Sequence, residues 1–211
     1  MTASVEFFFD LSSPWTRIAF HNIQPVIAET GASVRWRPFL VGGVFNAVND
    51  SVYAGRANPD APKNRHSFTW LKEWAVLAGV PMNFPSRHHP VKSVAAMRFC
   101  CALEADQDAL FRFATAAFDA YFADQKNLDD PANLVEIANA CDLDGPAIAA
   151  LAQAEPCRAA LRANTDEAIA RGAFGSPMIF VNGKHAYFGN DQIPIVRQRI
   201  MNASNLSNPS A

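Results

Sequence analysis

Hydrophobic and polar positions along this chain follow two rhythms. Near both ends, short apolar runs bounded by turn residues predict strands, and between them apolar positions recur at helical spacing. Residues 4–10 and 33–39 read as strands, separated by a helix from about Pro14 to Thr30. Pro25 lies inside that helix and predicts a kink or the loss of its last turns. In the middle, Phe68 to Ala75 opens one amphipathic segment and Val94 to Glu104 another, and Leu110, Phe111, Ala114, Ala117, Phe118, Tyr121 and Phe122 form a helical stripe. Asp130-Pro131 starts the next helix, with Leu134, Ile137, Ala138 and Cys141 on its apolar face. Helical pattern resumes near Gly145 and runs to Gly172. Met178 to Val181 is then an apolar strand leading into the turn pair Asn182-Gly183, so a hairpin is expected over 178–188 and a last helix over Asp191 to Met201.

A strand–helix–strand start and a strand–strand–helix end are two halves of one sheet, interrupted by a long helical stretch. The fold class expected is α/β: a thioredoxin-like fold with a large all-helical domain inserted between its βαβ and ββα halves. Residues 1–41 and 172–201 would form the thioredoxin-like domain, 42–171 the insertion, and 202–211 a polar, flexible tail.

Composition narrows the function without naming it. The chain has 211 residues, half of them hydrophobic and 18% charged, with a formal net charge of -2. That balance gives no electrostatic reason to expect nucleic acid or an anionic membrane as partner. No apolar run is long enough to span a bilayer, and no basic segment precedes an apolar one at the N-terminus, so neither a membrane anchor nor a secretory signal is expected. The cysteines, Cys100, Cys101, Cys141 and Cys157, form no Cys-x-x-Cys pair and read as reduced, small core residues, which points to the cytoplasm. His88-His89 point apart in an extended segment, with no further ligand at metal-binding spacing, so no metal is expected.

The candidate chemistry lies at the first strand-to-helix junction. Pro14 suits a first helical turn, which places Ser12 or Ser13 at the N-cap beside N–H groups that have no partner within the helix. Thioredoxin-like redox proteins put a Cys-x-x-Cys at such a junction. Here the four residues are Ser13-Pro14-Trp15-Thr16, which keep the electropositive helix end but cannot form a disulfide. Far along the chain, Phe174-Gly175-Ser176-Pro177 precedes the apolar strand, with a proline where its missing N–H does no harm and whose peptide bond could be cis or trans. Helix capping alone would also explain a Ser-Pro pair.

The junction, the Gly175-Ser176-Pro177-Met178 strand entrance and Phe188-Gly189-Asn190-Asp191 resemble the kappa-class glutathione transferase family, and within it the 2-hydroxychromene-2-carboxylate isomerases, whose fold is DsbA-like. Arg37-Pro38, Gly42-Gly43-Val44-Phe45, Leu71-Lys72-Glu73-Trp74-Ala75 and Gly79-Val80-Pro81 extend the likeness over residues 4 to 200. The resemblance implies glutathione as cofactor and Ser13 as the catalytic hydroxyl that hydrogen-bonds its thiolate. It places the cysteinyl backbone against Ser176 and Pro177 and the γ-glutamyl end against Asn190 and Asp191. Further polar contacts would come from Lys63 and from an asparagine position filled by Asn49 or Asp50. Trp15 would wall the pocket of a small aromatic carboxylate substrate or serve as core, and Lys92 would pair with the substrate carboxylate or stand solvated. The activity implied is isomerisation, by a homodimer, of an aromatic ring-fission intermediate. Kappa-type conjugation of glutathione to an electrophile is the alternative. A disulfide oxidoreductase is opposed by the hydroxyls at 13 and 16, a serine nucleophile by the lack of a Gly-x-Ser-x-Gly elbow, and a non-catalytic binding or chaperone module remains the reading of another class.

Overall fold

A computed structural model describes the backbone of residues 2–53, 58 and 60–206, and the side chains of these up to residue 203. Its first strand, β1 (Ser4–Phe9), sets the architecture. Val5, Phe7 and Phe9 point to one side of the sheet and Phe8 to the other, and all four are buried. The run reads as continuously apolar because the sheet is covered on both faces. Next come α1 (Pro14–Thr30), β2 (Ser33–Pro38) and α2 (Val41–Val48). Among the described residues the helices α3 (Pro62–Ala78), α4 (Val94–Ala102), α5 (Gln107–Phe122), α6 (Pro131–Ala140), α7 (Gly145–Gln153) and α8 (Glu155–Ala170) follow. The hairpin β3 (Met178–Val181) and β4 (His185–Phe188), a single 3-10 turn at Asn190–Gln192, and α9 (Ile193–Leu206) complete the chain.

The sheet order is β2-β1-β3-β4, with β2 parallel to β1 and the other neighbours antiparallel. This is the DsbA-like thioredoxin fold with a helical insertion between its halves. The larger core joins the Phe7 face to α1, α9 and the inserted helices through Phe20, Ile23, Phe113, Phe118, Val196 and Ile200. On the opposite face Phe8 packs with Phe39, Val44, Ala168, Met178 and Phe180. No described helix is long and apolar enough to cross a membrane.

Charge as well as apolar packing secures the second face. Arg37, 5% exposed, contacts Glu6 at 3.2 Å, Glu104 at 3.2 Å and Glu167 at 2.5 Å, donates to Asn164 Oδ1 at 2.7 Å, and lies 4.8 Å from the centroid of the Phe8 ring. Arg171 completes the network by binding Glu6 and Glu167 at 2.7 and 2.8 Å. One guanidinium thus ties β1, β2, α8 and the residue group following α4 together.

Several sequence expectations need adjustment. Pro25 does not divide α1, which runs unbroken to Thr30. Both Pro25 and His21, whose carbonyl loses its helical partner to the proline, lie on the exposed side, where water can take that bond. The last helix extends beyond Met201 to Leu206, so 202–206 of the expected tail are helical; 207–211 lie outside the described residues. The hairpin turn is as the Asn-Gly pair foretold, with φ of 52° at Asn182 and 67° at Gly183.

Removing the buried Arg37 guanidinium leaves its partly buried carboxylate partners facing one another, so Arg37→Ala should lower unfolding free energy by about 3 kcal/mol in urea titration. Burial, the largest single influence, pushes the Glu167 carboxyl up, but hydrogen bonds and charge from Arg37 and Arg171 together hold it below its ordinary value. Its contribution is therefore present above the ordinary carboxylate range and lost as pH falls through the lowered value. Thermal melts from about pH 7 to about pH 3 should show a shallower acid decline for Glu167→Gln than for wild type.

Candidate functional site

The first turn of α1 and the loop entering β3 meet in space. Ser13 is the N-cap, extended at φ -91° and ψ 117°, and its Oγ accepts the Thr16 N–H at 3.2 Å. The same hydroxyl lies 3.2 Å from the Ser176 carbonyl. A carbonyl only accepts, so the single Ser13 proton points to Ser176. The Thr16 and Ser176 hydroxyls are 2.8 Å apart, and Ser176 Oγ accepts the Asp10 N–H at 3.1 Å. The Ser176-Pro177 peptide bond is cis.

Asp10, fully buried, organises the turn between β1 and α1. Its Oδ1 accepts from the Ser12 N–H and hydroxyl, both at 2.8 Å, and its Oδ2 from the Val41 N–H at 2.9 Å. Burial pushes its carboxyl up, against the opposing hydrogen bonds from Ser12, Val41 and Ser93. The turn carrying Ser13 is thereby joined to the first turn of α2 and to the residue that opens α4. In the sequence Asp10 is the end of an apolar run, and a carboxylate three residues before the cap is the signal of this role.

Two residues past Ser13, Trp15 forms one wall of a cavity of about 330 Å³. Trp70, Trp74 and Phe188 are its other aromatic walls, and Asn190 and Asp191 are polar residues along it. Trp15 and Trp74 also pack against Ile18, Leu71 and Ala75, so they serve as core and wall together. Trp70 and Trp74 were missed as site candidates; tryptophans four apart share one face of a helix, which was the signal. A second cavity, of about 450 Å³, adjoins it through Phe188 and Asp191 and is also lined by Phe174, Tyr187 and Gln192.

Asn190 is 2% exposed; its Oδ1 accepts from Asn22 at 2.9 Å, and its Nδ2 is buried without a hydrogen-bond partner. Asp191 is exposed and accepts from Gln192 at 3.1 Å. Gly189 has φ of +92°, and a Cβ there would lie 2.9 Å from Asp191 Oδ1, so glycine is what this corner admits. Asn49 ends α2 and donates to the Phe174 carbonyl at 2.9 Å, on the same loop as Ser176; Asp50 is exposed.

Lys63 lies in the first turn of α3 rather than in a loop, is exposed, and lines neither cavity. Lys92 is likewise exposed and outside both; its backbone N–H binds the Asp129 carboxylate at 3.0 and 3.1 Å. The structure therefore gathers Ser13, Trp15, Ser176, Pro177, Asn190 and Asp191, with Asn49 braced against their loop, and leaves both lysines at the margin.

Burial pushes each of the four free thiols up, away from the thiolate form. Among the described residues, no group of three or more His, Cys, Asp or Glu side chains is placed to hold a metal ion. What remains is a helix N-terminus with a hydroxyl, suited to an anion supplied from outside, beside an aromatic cleft.

The chain is similar to several known proteins. A 2-hydroxychromene-2-carboxylate isomerase of Sphingobium xenophagum is 27% identical over 207 residues, covering 95% of this chain and all of that one. A glutathione S-transferase kappa 2 of Caenorhabditis elegans is 23% identical over 201 residues, covering 91% and 89%. Among solved structures, that of a 2-hydroxychromene-2-carboxylate isomerase superposes with a TM-score of 0.79 at 22% identity, over 99% of this chain and all of that one, and shares its fold. The family model of the DSBA-like thioredoxin domain matches residues 4–201, so this chain belongs to that family.

Proposed function

We propose that the protein is a glutathione-dependent isomerase of an aromatic ring-fission intermediate that carries a carboxylate, of the 2-hydroxychromene-2-carboxylate to trans-o-hydroxybenzylidenepyruvate type. The observation that carries this reading is the hydroxyl of Ser13 at the N-terminus of α1, tied to Ser176 and set beside a tryptophan-lined cleft. Relatives named as isomerases support the reaction type, and relatives named as kappa glutathione transferases support the cofactor.

The residues present fit glutathione. The helix end at Ser13 favours a thiolate. The buried, unpartnered Nδ2 of Asn190 offers a donor, and the exposed Asp191 carboxylate an acceptor for an ammonium group. Ser176, Pro177 and Asn49 border the same loop. When bound, glutathione supplies a sulfur that adds reversibly to a conjugated carbon, giving a single bond about which the substrate can turn. Ser13 keeps its proton throughout and holds the sulfur's charge with it. A hydroxyl suits that task better than a thiol, which could form a mixed disulfide with the cofactor. Trp15, Trp70 and Trp74 hold the aromatic ring and exclude water. The kappa-type alternative, irreversible conjugation to an electrophile, rests on the transferase relatives and would use the same residues.

A difference ultraviolet titration should show a thiolate band from glutathione at neutral pH on wild type that weakens on Ser13→Ala, with kcat falling about a hundredfold. No saturable binding of glutathione and no thiolate band would contradict the reading. Trp70 is half exposed, so Trp70→Ala should leave the fold intact and raise KM about tenfold with little change in kcat, measured by steady-state isomerisation.

A further inference from the structure

The Ser13 proton is already in use. Its Oγ accepts from the Thr16 N–H, and its only proton goes to the Ser176 carbonyl, so no second proton remains for a thiolate. At 3.2 Å this bond is longer than an ordinary hydroxyl–carbonyl bond, so it can be exchanged for a stronger bond to an anion. The difficulty lies on the other side of the exchange. Ser176 is 6% exposed, and a buried carbonyl stripped of its donor is costly. The neighbouring donors are engaged elsewhere. The Asp10 N–H is on Ser176 Oγ, the Thr16 and Ser176 hydroxyls are bonded to each other, and the Gly189 N–H is on the Pro177 carbonyl.

We propose that the Ser13 proton is parked on the Ser176 carbonyl in the free protein, and that a thiol ligand releases it by bringing an N–H of its own to that carbonyl. The inference rests on the glutathione reading and deepens it. The site then distinguishes thiols by what accompanies the sulfur. A thiol with an amide N–H on the carbon adjacent to the sulfur-bearing one satisfies Ser176 and frees Ser13 to donate to the thiolate. A thiol without that N–H can occupy the cleft, but the Ser13 proton stays where it is. Ser13 is thus a conditional donor, and Ser176 is the positioning residue that sets the condition. Only hydrogen bonds change hands; the thiol proton leaves to solvent.

The test compares glutathione with an analogue in which the amide N–H between the γ-glutamyl and cysteinyl groups is replaced by an ester oxygen. Each is taken to saturation on wild type and Ser13→Ala, and its bound thiol pKa is read from the thiolate band as a shift from that thiol's own free value. Ser13→Gly, a change that N-caps tolerate better than alanine, serves as a second variant. On wild type, the pKa of glutathione should fall about one unit further than that of the ester analogue, a tenfold difference in thiolate-to-thiol ratio. On both variants the two shifts should become equal. Equal shifts on wild type would overturn the proposal, because water or the carbonyl's second lone pair would then be freeing Ser13. A difference that persists in the variants would also overturn it, because the amide would be acting without Ser13. In both cases bound glutathione and its thiolate leave the proposed function standing. Failure of glutathione to bind at all would remove that function and this inference together.

Discussion

Everything at the site depends on one contact between residues 163 positions apart, the hydrogen bond from the Ser13 hydroxyl to the Ser176 carbonyl. It can form only because β1 and β3 are paired side by side, which brings the C-terminal end of one strand to the entrance of the other. The antiparallel register setting Phe8 opposite Met178 places the turn after Phe9 over the loop before Met178. Asp10 then acts on both, binding Ser176 through its N–H and the Ser12 turn through its carboxylate. The helix N-terminus gives the site its preference for an anion, and the Ser176 loop determines what the nearby hydroxyl can do with it.

The helical insertion has a separate part. Its described residues give the site an aromatic surface, and Asp119 pairs with Arg17 near the start of α1. Trp70 and Trp74 project from one face of α3 toward Trp15, while Leu71 and Ala75 of the same helix pack on Ile18 and fix the helix against α1. Sheet and insertion are also bound on the opposite face through Arg37, whose partners are Glu6 of β1 and Glu104 and Glu167 of the insertion.

Features written in local chemistry were legible in the sequence. Pro14 after Ser13, the Asn182-Gly183 turn and the apolar run of β1 each dictate their own geometry over a few residues, and each is found as expected. Features that depend on distant partners were not. Nothing next to Arg37 in the chain foretells its burial, because Glu6, Glu104 and Glu167 reach it from distant segments. Pro25 reads as a helix breaker until its turn proves to face solvent. Asp10 reads as a strand end because its donors come from Ser12, Val41 and Ser93, the last two in segments apart from its own. Lys63, placed by resemblance, and Lys92, placed as a departure from it, lie outside both cavities because chain position does not determine where a long, solvated side chain stands.

The central claim is that the protein returns glutathione unchanged while it interconverts two isomers of an aromatic carboxylate. The most direct measurement incubates the protein with 2-hydroxychromene-2-carboxylate, with and without glutathione, and quantifies both substrate isomers and free glutathione over time. The account predicts rapid approach to an equilibrium mixture only when glutathione is present, with its concentration constant. Consumption of glutathione into a thioether, or isomerisation no faster than in buffer, would contradict it.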